Sequence, residues 1–294
     1  MSGKIIPKHA FGITANSRNC LLYAEDHHLA YVCGHTVVVL NTESRDQQFI
    51  HGSTHGYQSL GITALARSGP RKILAIAEKA EPFAAVTFYD SHTLRRRKVL
   101  QHPDIGSNEI VSIAFSDDGK YFLLQGGAPE WNLLLWNVEK TVKLLCITKV
   151  CLAEDQTVAQ ISFCPWDSSV VLCIGKSVGK LFRLQEGQYK PISLSLRRDH
   201  AYFVSHSWLS DDKLVIGTEG GEILLVENFE FRGIVYPTGQ DNEDYVPILS
   251  LIGTSRGFIA GTIAGEIRMF EKAEDIKEQV TFFRMFALAP SNLS

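Results

Sequence analysis

The sequence has no apolar run approaching the roughly 20 residues a helix needs to span a bilayer. Its first residues, Met1-Ser-Gly-Lys4-Ile-Ile-Pro7-Lys8, contain nothing like the apolar centre of a secretory signal. A membrane is therefore not an expected partner. An excess of one charge is also missing: 29 Lys and Arg stand against 32 Asp and Glu, a formal net charge of -3. A field that weak does not drive binding to nucleic acid, which is likewise not expected as a partner. The six cysteines, Cys20, Cys33, Cys146, Cys151, Cys164 and Cys173, form no C-x-x-C pair. Structural zinc sites usually show such tight spacings, so no metal is expected. Most of these cysteines sit in apolar runs such as Val170-Val-Leu-Cys173-Ile174, as small core residues of a reducing compartment do.

What is present is a chain of 294 residues, 45% hydrophobic and 21% charged, long enough to bury a large core. Short apolar runs bounded by turn residues recur along all of it. Ile110-Val-Ser-Ile-Ala-Phe115 leads through Ser116-Asp-Asp-Gly-Lys120 to Tyr121-Phe-Leu-Leu124. Leu133-Leu-Leu-Trp136 and Val142-Lys-Leu-Leu-Cys-Ile147 complete a unit of four. Each run is too short for an ordinary helix, and Asp-Gly between apolar stretches signals a hairpin. The unit is a four-stranded meander.

Its period can be counted. The third strand of each unit ends in an apolar residue followed by a polar one: Leu40-Asn41, Tyr89-Asp90, Trp136-Asn137, Leu184-Gln185, Val226-Glu227 and Phe270-Glu271. The steps are 49, 47, 48, 42 and 44 residues, a mean of 46. Four strands repeating near that length are the mark of WD40-type β-propeller blades. The match is degenerate, because no exact Trp-Asp closes a unit and Trp166-Asp167 falls in a turn. The expected fold is all-β, with about six four-stranded blades near 18–50, 60–100, 108–148, 156–195, 200–237 and 245–288 in one domain over 1–294. A blade cannot bury both faces alone, so it stacks on its neighbours. The segment 9–13 is a candidate outer strand for the last blade, and 280–286 for the sixth. Either six blades close, or the count fits an incomplete seven-bladed ring, as in a truncated form of a longer protein; the second is the expectation.

Few residues suggest chemistry. Gly175-Lys176-Ser177 lacks the first glycine of a phosphate loop and precedes a strand, so it reads as a turn, as does 217–221. His27, His28, His51 and His55 lie near loops without further ligands at suitable spacing. Asp199-His200 with Ser205 or Ser207 lacks a nucleophile elbow. No catalytic residue and no cofactor are expected; an enzyme working in a propeller channel would need polar strand ends, whereas Ile110, Val158, Tyr202 and Val246 begin the inner strands. Arg95, Arg96, Arg97 and Lys98 form the one dense basic run. It reads either as a solvated outer strand blunting a sheet edge or as a contact for an acidic polypeptide tail. Arg197-Arg198 is a weaker second basic candidate, and 240–245 an acidic loop. Trp131, beside Pro129-Glu130 in a strand connection, is expected to be exposed and is a candidate interface anchor.

Several stretches together carry a resemblance. Ala10-Phe-Gly12, Gln48-Phe-Ile-His-Gly-Ser53, Arg96-Arg-Lys-Val-Leu100, the run from Ala114 to Leu124, Pro129-Glu-Trp-Asn-Leu133 and the run from Trp208 to Thr218 resemble cilia- and flagella-associated WD-repeat proteins. The resemblance extends from about Ala10 to Phe270. It implies a non-catalytic scaffold or adaptor in the cytoplasm and cytoskeleton of the cilium or flagellum, on axonemal doublet microtubules. The implied partners are proteins: axonemal tubulin, inner dynein arm or regulatory-complex proteins, and the chain itself. Family members follow their propellers with a long coiled coil, which is not visible in these 294 residues. A generic cytosolic WD-repeat adaptor is the alternative reading.

Overall fold

A computed structural model describes residues 7–15, 19–53, 56–197, 201–209, 212–237, 246–272 and 283–288, the last strand by its backbone. Six four-stranded sheets follow one another along the chain. The first comprises β1 (Leu21–Glu25), β2 (His28–Cys33), β3 (Thr36–Asn41) and β4 (Gln47–His51). The second comprises β5 (Gly61–Ser68), β6 (Ile73–Lys79), β7 (Ala85–Asp90) and β8 (Arg96–Gln101). The third comprises β9 (Ile110–Phe115), β10 (Tyr121–Gly126), β11 (Asn132–Asn137) and β12 (Lys143–Lys149). The fourth comprises β13 (Thr157–Cys164), β14 (Asp167–Lys176), β15 (Val178–Gln185) and β16 (Gln188–Ile192). The fifth comprises β17 (Phe203–Trp208), β18 (Lys213–Thr218), β19 (Ile223–Glu227) and β20 (Glu230–Val235). The sixth comprises β21 (Ile248–Thr254), β22 (Gly257–Thr262), β23 (Ile267–Lys272) and β24 (Phe283–Leu288). In every sheet the strands lie side by side in chain order, so each is the meander expected of a blade. This is the WD40-type β-propeller fold, and the only helical piece among the described residues is a 3-10 turn at Pro103–Ile105.

Residue chemistry follows position in the sheet. The middle strands of the second and third sheets are covered on both faces and are therefore continuous apolar runs. All of β6 but its last residue is buried, and so are Phe122 to Gly126 of β10. Outer strands alternate or stay exposed, as in Arg96-Arg-Lys of β8. The third strands end in acceptors for a local reason. Asn41 Oδ1 accepts from Glu43 N and Ser44 N at 2.9 and 3.0 Å. Asp90 Oδ1 does the same for His92 N and Thr93 N, and Asn137 Oδ1 for Glu139 N. These are Asx turns that reverse the chain toward the outer strand. The Ser116–Lys120 hairpin is closed alike. Asp118 Oδ1 accepts from Ser116 Oγ at 2.6 Å and Lys120 N at 2.9 Å, and Gly119 takes φ +67°.

Two features were not expected. Inner strands carry a β-bulge at matching places, leaving Thr63, Val111, Val204 and Leu249 without a cross-strand partner. Outer strands carry another, at Arg97 and Arg232. The segment expected to lace onto the last blade instead lies on the first. Ala10 N–H donates to Gln47 Oε1 at 2.7 Å, Gln47 Nε2 donates to Ala10 O at 3.3 Å, and Thr14 N–H donates to Val32 O at 2.7 Å. Gln47 offers an amide that satisfies both backbone groups of Ala10, which a strand ladder would otherwise have to do.

The chain divides into two compact units, residues 1–150, 161–169 and 184–189, and the remainder. The core of the first holds three phenylalanines, Phe88, Phe115 and Phe122, with ring centroids 4.8 to 5.6 Å apart. Ala64, Ala75 and Ala77 of the second sheet leave room for them. The core of the second gathers Val215, Ile223, Ile248 and Phe258, with Phe258 stacked on Phe270 at 4.7 Å.

Candidate partner-binding surface

The basic run sits where the second sheet meets solvent. Arg95 follows the turn after β7, and Arg96, Arg97 and Lys98 open β8. Arg97 occupies the bulge, between the pairs Phe88–Lys98 and Tyr89–Arg96. Its guanidinium turns back to the Asp90 carboxylate and donates to Arg71 O at 2.9 Å. The Thr93 backbone N–H and the Arg97 guanidinium hold the Asp90 carboxyl well below the usual carboxylate range. The fifth sheet repeats the device: Arg232, at the equivalent bulge, lies 3.5 Å from Glu227 at the end of β19. Arg97 therefore secures a turn. Arg95, Arg96 and Lys98 form no ion pair with the described residues, and all three are exposed.

An open groove of about 380 Å³ lies beside them, lined by Gly56, Tyr57, Arg96, Arg97, Lys98, Val99 and Gln101. Tyr57 connects the groove to a buried polar cluster. Glu78, at the end of the apolar run of β6, is 1% exposed. Tyr57 OH donates to Glu78 Oε2, Ser53 N–H donates to Oε1 at 2.9 Å, and Thr87 Oγ1 lies 3.0 Å from Tyr57 OH. A buried carboxylate needs such donors, since desolvation without them costs several kcal/mol. Burial, then the bond to Glu78, push the Tyr57 hydroxyl far above the usual phenol range, so it stays a donor. The cluster ties the loop before β5 to the middle of the second sheet, and Tyr57 packs on Ala80, Ala85 and Val99. Burial and the Glu78 carboxylate raise Tyr89, while Arg96 nearby opposes the shift.

Other candidates resolve into structural roles or fall elsewhere. Trp131 lies in the turn between β10 and β11, half-buried rather than exposed, with its N–H donating to Gly127 O at 3.0 Å. It does not line the groove. Its carbonyl accepts from Val150 N–H at 3.1 Å, which ties the end of this turn to the residue after β12. His27 faces Glu43, His28 faces Asn41, and His51 Nδ1 lies 3.2 Å from Thr36 Oγ1. No cluster of metal-ligating side chains occurs among the described residues. Ser205 Oγ donates to Ile248 O at 2.7 Å, and Ser207 Oγ accepts from Gly253 N at 2.8 Å. Both serines knit the fifth sheet to the sixth. Gly175-Lys176-Ser177 is the hairpin between β14 and β15, as expected, and Trp166-Asp167 enters β14 from a turn. Arg197 stacks over Phe231 at 5.7 Å. His55, Arg198, Asp199, His200 and the loop 240–245 lie outside the described residues. All six cysteines are free thiols; four are buried, and burial raises Cys146 and Cys173.

Sequence reading missed Tyr57, Gly56 and Gln101 as groove residues. One signal was available: Glu78 interrupts the apolar run Ile73-Leu-Ala-Ile-Ala77, and a carboxylate there requires donors from outside its strand.

Known proteins share this architecture. The chain is 34% identical over 226 residues to cilia- and flagella-associated protein 57 of Mus musculus, covering 76% of this chain and 18% of that protein. Cilia- and flagella-associated protein 57 C of Tetrahymena thermophila is 28% identical over 192 residues, covering 62% and 14% respectively. The chain thus spans less than a fifth of the length of either relative. The β-propeller domain of Cps50 (Swd1) from Myceliophteria thermophila superposes with a TM-score of 0.61 at 16% identity, over 76% of this chain and 70% of that one. The resemblance to cilia- and flagella-associated WD-repeat proteins is borne out. The model of the CFAP43 N-terminal domain matches residues 11–286, and the chain belongs to that family.

Proposed function

We propose that this chain is a non-catalytic protein-interaction platform of cilia and flagella, associating with axonemal doublet microtubules and inner dynein arm components. Its propeller presents a rigid surface, and the groove beside β8 takes an acidic polypeptide segment. Arg95, Arg96 and Lys98 supply the attraction; Trp131 is a separate anchor on the third sheet. The observation that carries the reading is the groove itself. Arg97 is fixed by Asp90 and the Arg71 carbonyl, while Arg96 and Lys98 flank an open cleft with no counter-charge among its described lining residues. Exposed Arg and Lys side chains pay rotamer entropy when they are ordered, so charge complementarity there acts mainly by steering and selecting a negatively charged partner. The names of the relatives support the ciliary setting.

Proximity labelling from the chain in ciliated cells tests this. Enrichment of doublet and inner-arm polypeptides is expected. Labelling confined to soluble cytosolic proteins overturns the reading.

A further inference from the structure

β8 is the last strand of the second sheet, and among the described residues it pairs with β7 alone. Along Arg96–Gln101 the backbone makes no hydrogen bond to any other described element. In an antiparallel strand alternate residues turn their N–H and C=O groups away from the partner. The outer edge of β8 thus offers a row of such groups, about 20 Å long at roughly 3.3 Å for each residue.

The groove follows that edge. Successive side chains of a strand point to opposite faces, yet the consecutive residues Arg96, Arg97, Lys98 and Val99 all line it. A cleft touched by consecutive residues runs along the border of a strand rather than over one face. Gly56 and Tyr57, on the loop tied to Glu78, supply the rest of the lining with Gln101.

The bulge then distributes the charges. In a regular strand residues two apart share a face, but Arg97 is the extra residue here. Arg96 pairs with Tyr89, and Lys98 pairs with Phe88. Those two neighbours on β7 point to opposite faces: Phe88 lies in one core cluster with Phe122, and Tyr89 in another with Leu65. Their partners on β8 are split in the same way. Arg96 acts on the Tyr89 phenol, as its place on that face requires. One exposed cation therefore stands on each face of the same edge. Cations on an edge discourage pairing with ordinary strands, but they attract a strand that carries carboxylates.

We propose that the groove takes its acidic segment as a fifth strand on β8, with two consecutive carboxylates of a partner protein reaching Arg96 on one face and Lys98 on the other. This rests on the acidic-segment reading of the groove and adds the mode of binding and the sequence bound: adjacent Asp or Glu within an extended stretch.

Three synthetic peptides, titrated against the chain and followed by hydrogen exchange, test it. The first is Thr-Val-Thr-Glu-Glu-Thr-Val-Thr. The second has the same sequence with its backbone nitrogens methylated, which keeps the charge and removes the donors. The third has the same composition with one residue between the two Glu, so both carboxylates emerge on one face. The first peptide should bind and slow exchange of outward amides within Lys98–Gln101, with no change in β12. The methylated peptide should bind about tenfold more weakly, as the loss of two or three backbone hydrogen bonds implies. The third should bind more weakly than the first. Salt-sensitive binding that ignores methylation, or that leaves exchange of β8 unchanged, overturns the added strand while the acidic groove stands. Equal binding of the first and third peptides overturns the two-faced recognition. No binding by any of them overturns both this inference and the reading of the groove on which it rests.

Discussion

Replacing Tyr57 by Phe keeps the ring and removes one hydroxyl, so it isolates the bond to Glu78. That bond joins a phenol to a buried carboxylate, and hydrogen bonds to charged groups contribute about 1.5–3 kcal/mol. Without it, Glu78 Oε2 keeps only Thr87 Oγ1, at 3.5 Å, while Oε1 keeps Ser53 N–H at 2.9 Å. No cavity forms beyond the hydroxyl itself, so the expected loss is ~1.5–3 kcal/mol. Each kcal/mol shifts the melting temperature of a domain this size by roughly 2–4 °C. The midpoint should therefore fall by about 3–12 °C in a thermal melt followed by circular dichroism, with a matching drop in urea. The folded-state pKa of Tyr57 lies above its unfolded value. Its contribution is thus complete below pH ~10 and lost as pH rises beyond that, so the gap between wild type and variant narrows in alkali. A change under ~0.5 kcal/mol at neutral pH refutes the idea that this cluster holds the loop, since that is the range of an unimportant surface change.

Gly217→Ala should destabilise by about 1–3 kcal/mol in chemical denaturation, because the new methyl would stand 2.7 Å from Ile248 Cγ2. Gly261→Ala, opposite Ser250 in the sixth sheet, should cost less, because its methyl would meet only the exposed Ser250 hydroxyl, at 2.4 Å, which can rotate away; a loss equal to that of Gly217→Ala would refute this. Asp90→Asn keeps the acceptor of the Asx turn and drops the ion pair with Arg97. The depressed Asp90 carboxyl stabilises the fold above its unfolded value near 4 and loses this as pH falls, so the variant should show a shallower acid decline in unfolding midpoints. Phe122→Ala, in the three-ring cluster, should cost about 3–5 kcal/mol, read from denaturant midpoints.

The blades were legible because their signal is redundant. Six third strands end in an apolar–polar pair at a steady spacing, and the Asx turns explain why Asn41, Asp90 and Asn137 recur there. The inner bulges were not legible, because Thr63, Val111, Val204 and Leu249 have no common chemistry; what they share is a backbone shift. The basic run was visible as charge, but its division of labour was not. Arg97 looks like its neighbours in sequence and is exposed like them, and only the structure shows that its guanidinium pairs with Asp90. Trp131 misled because its neighbours Ala128, Pro129 and Glu130 are indeed exposed, while Trp131 itself is half-buried. The lacing segment misled because Ala10 finds its partner in one side chain, Gln47, which no strand periodicity reveals.

The central claim is that a basic groove on a propeller blade takes an acidic ciliary partner. Co-sedimentation of the chain with isolated axonemes across a salt series, with and without Arg96→Glu and Lys98→Glu, tests it most directly. Both residues are exposed, so folding should be unaffected. Wild-type binding should weaken steeply with salt, and the double reversal should both weaken it and flatten its salt dependence, because the lost contacts are screened ion pairs. Equal binding by the two proteins at every salt concentration would contradict the claim.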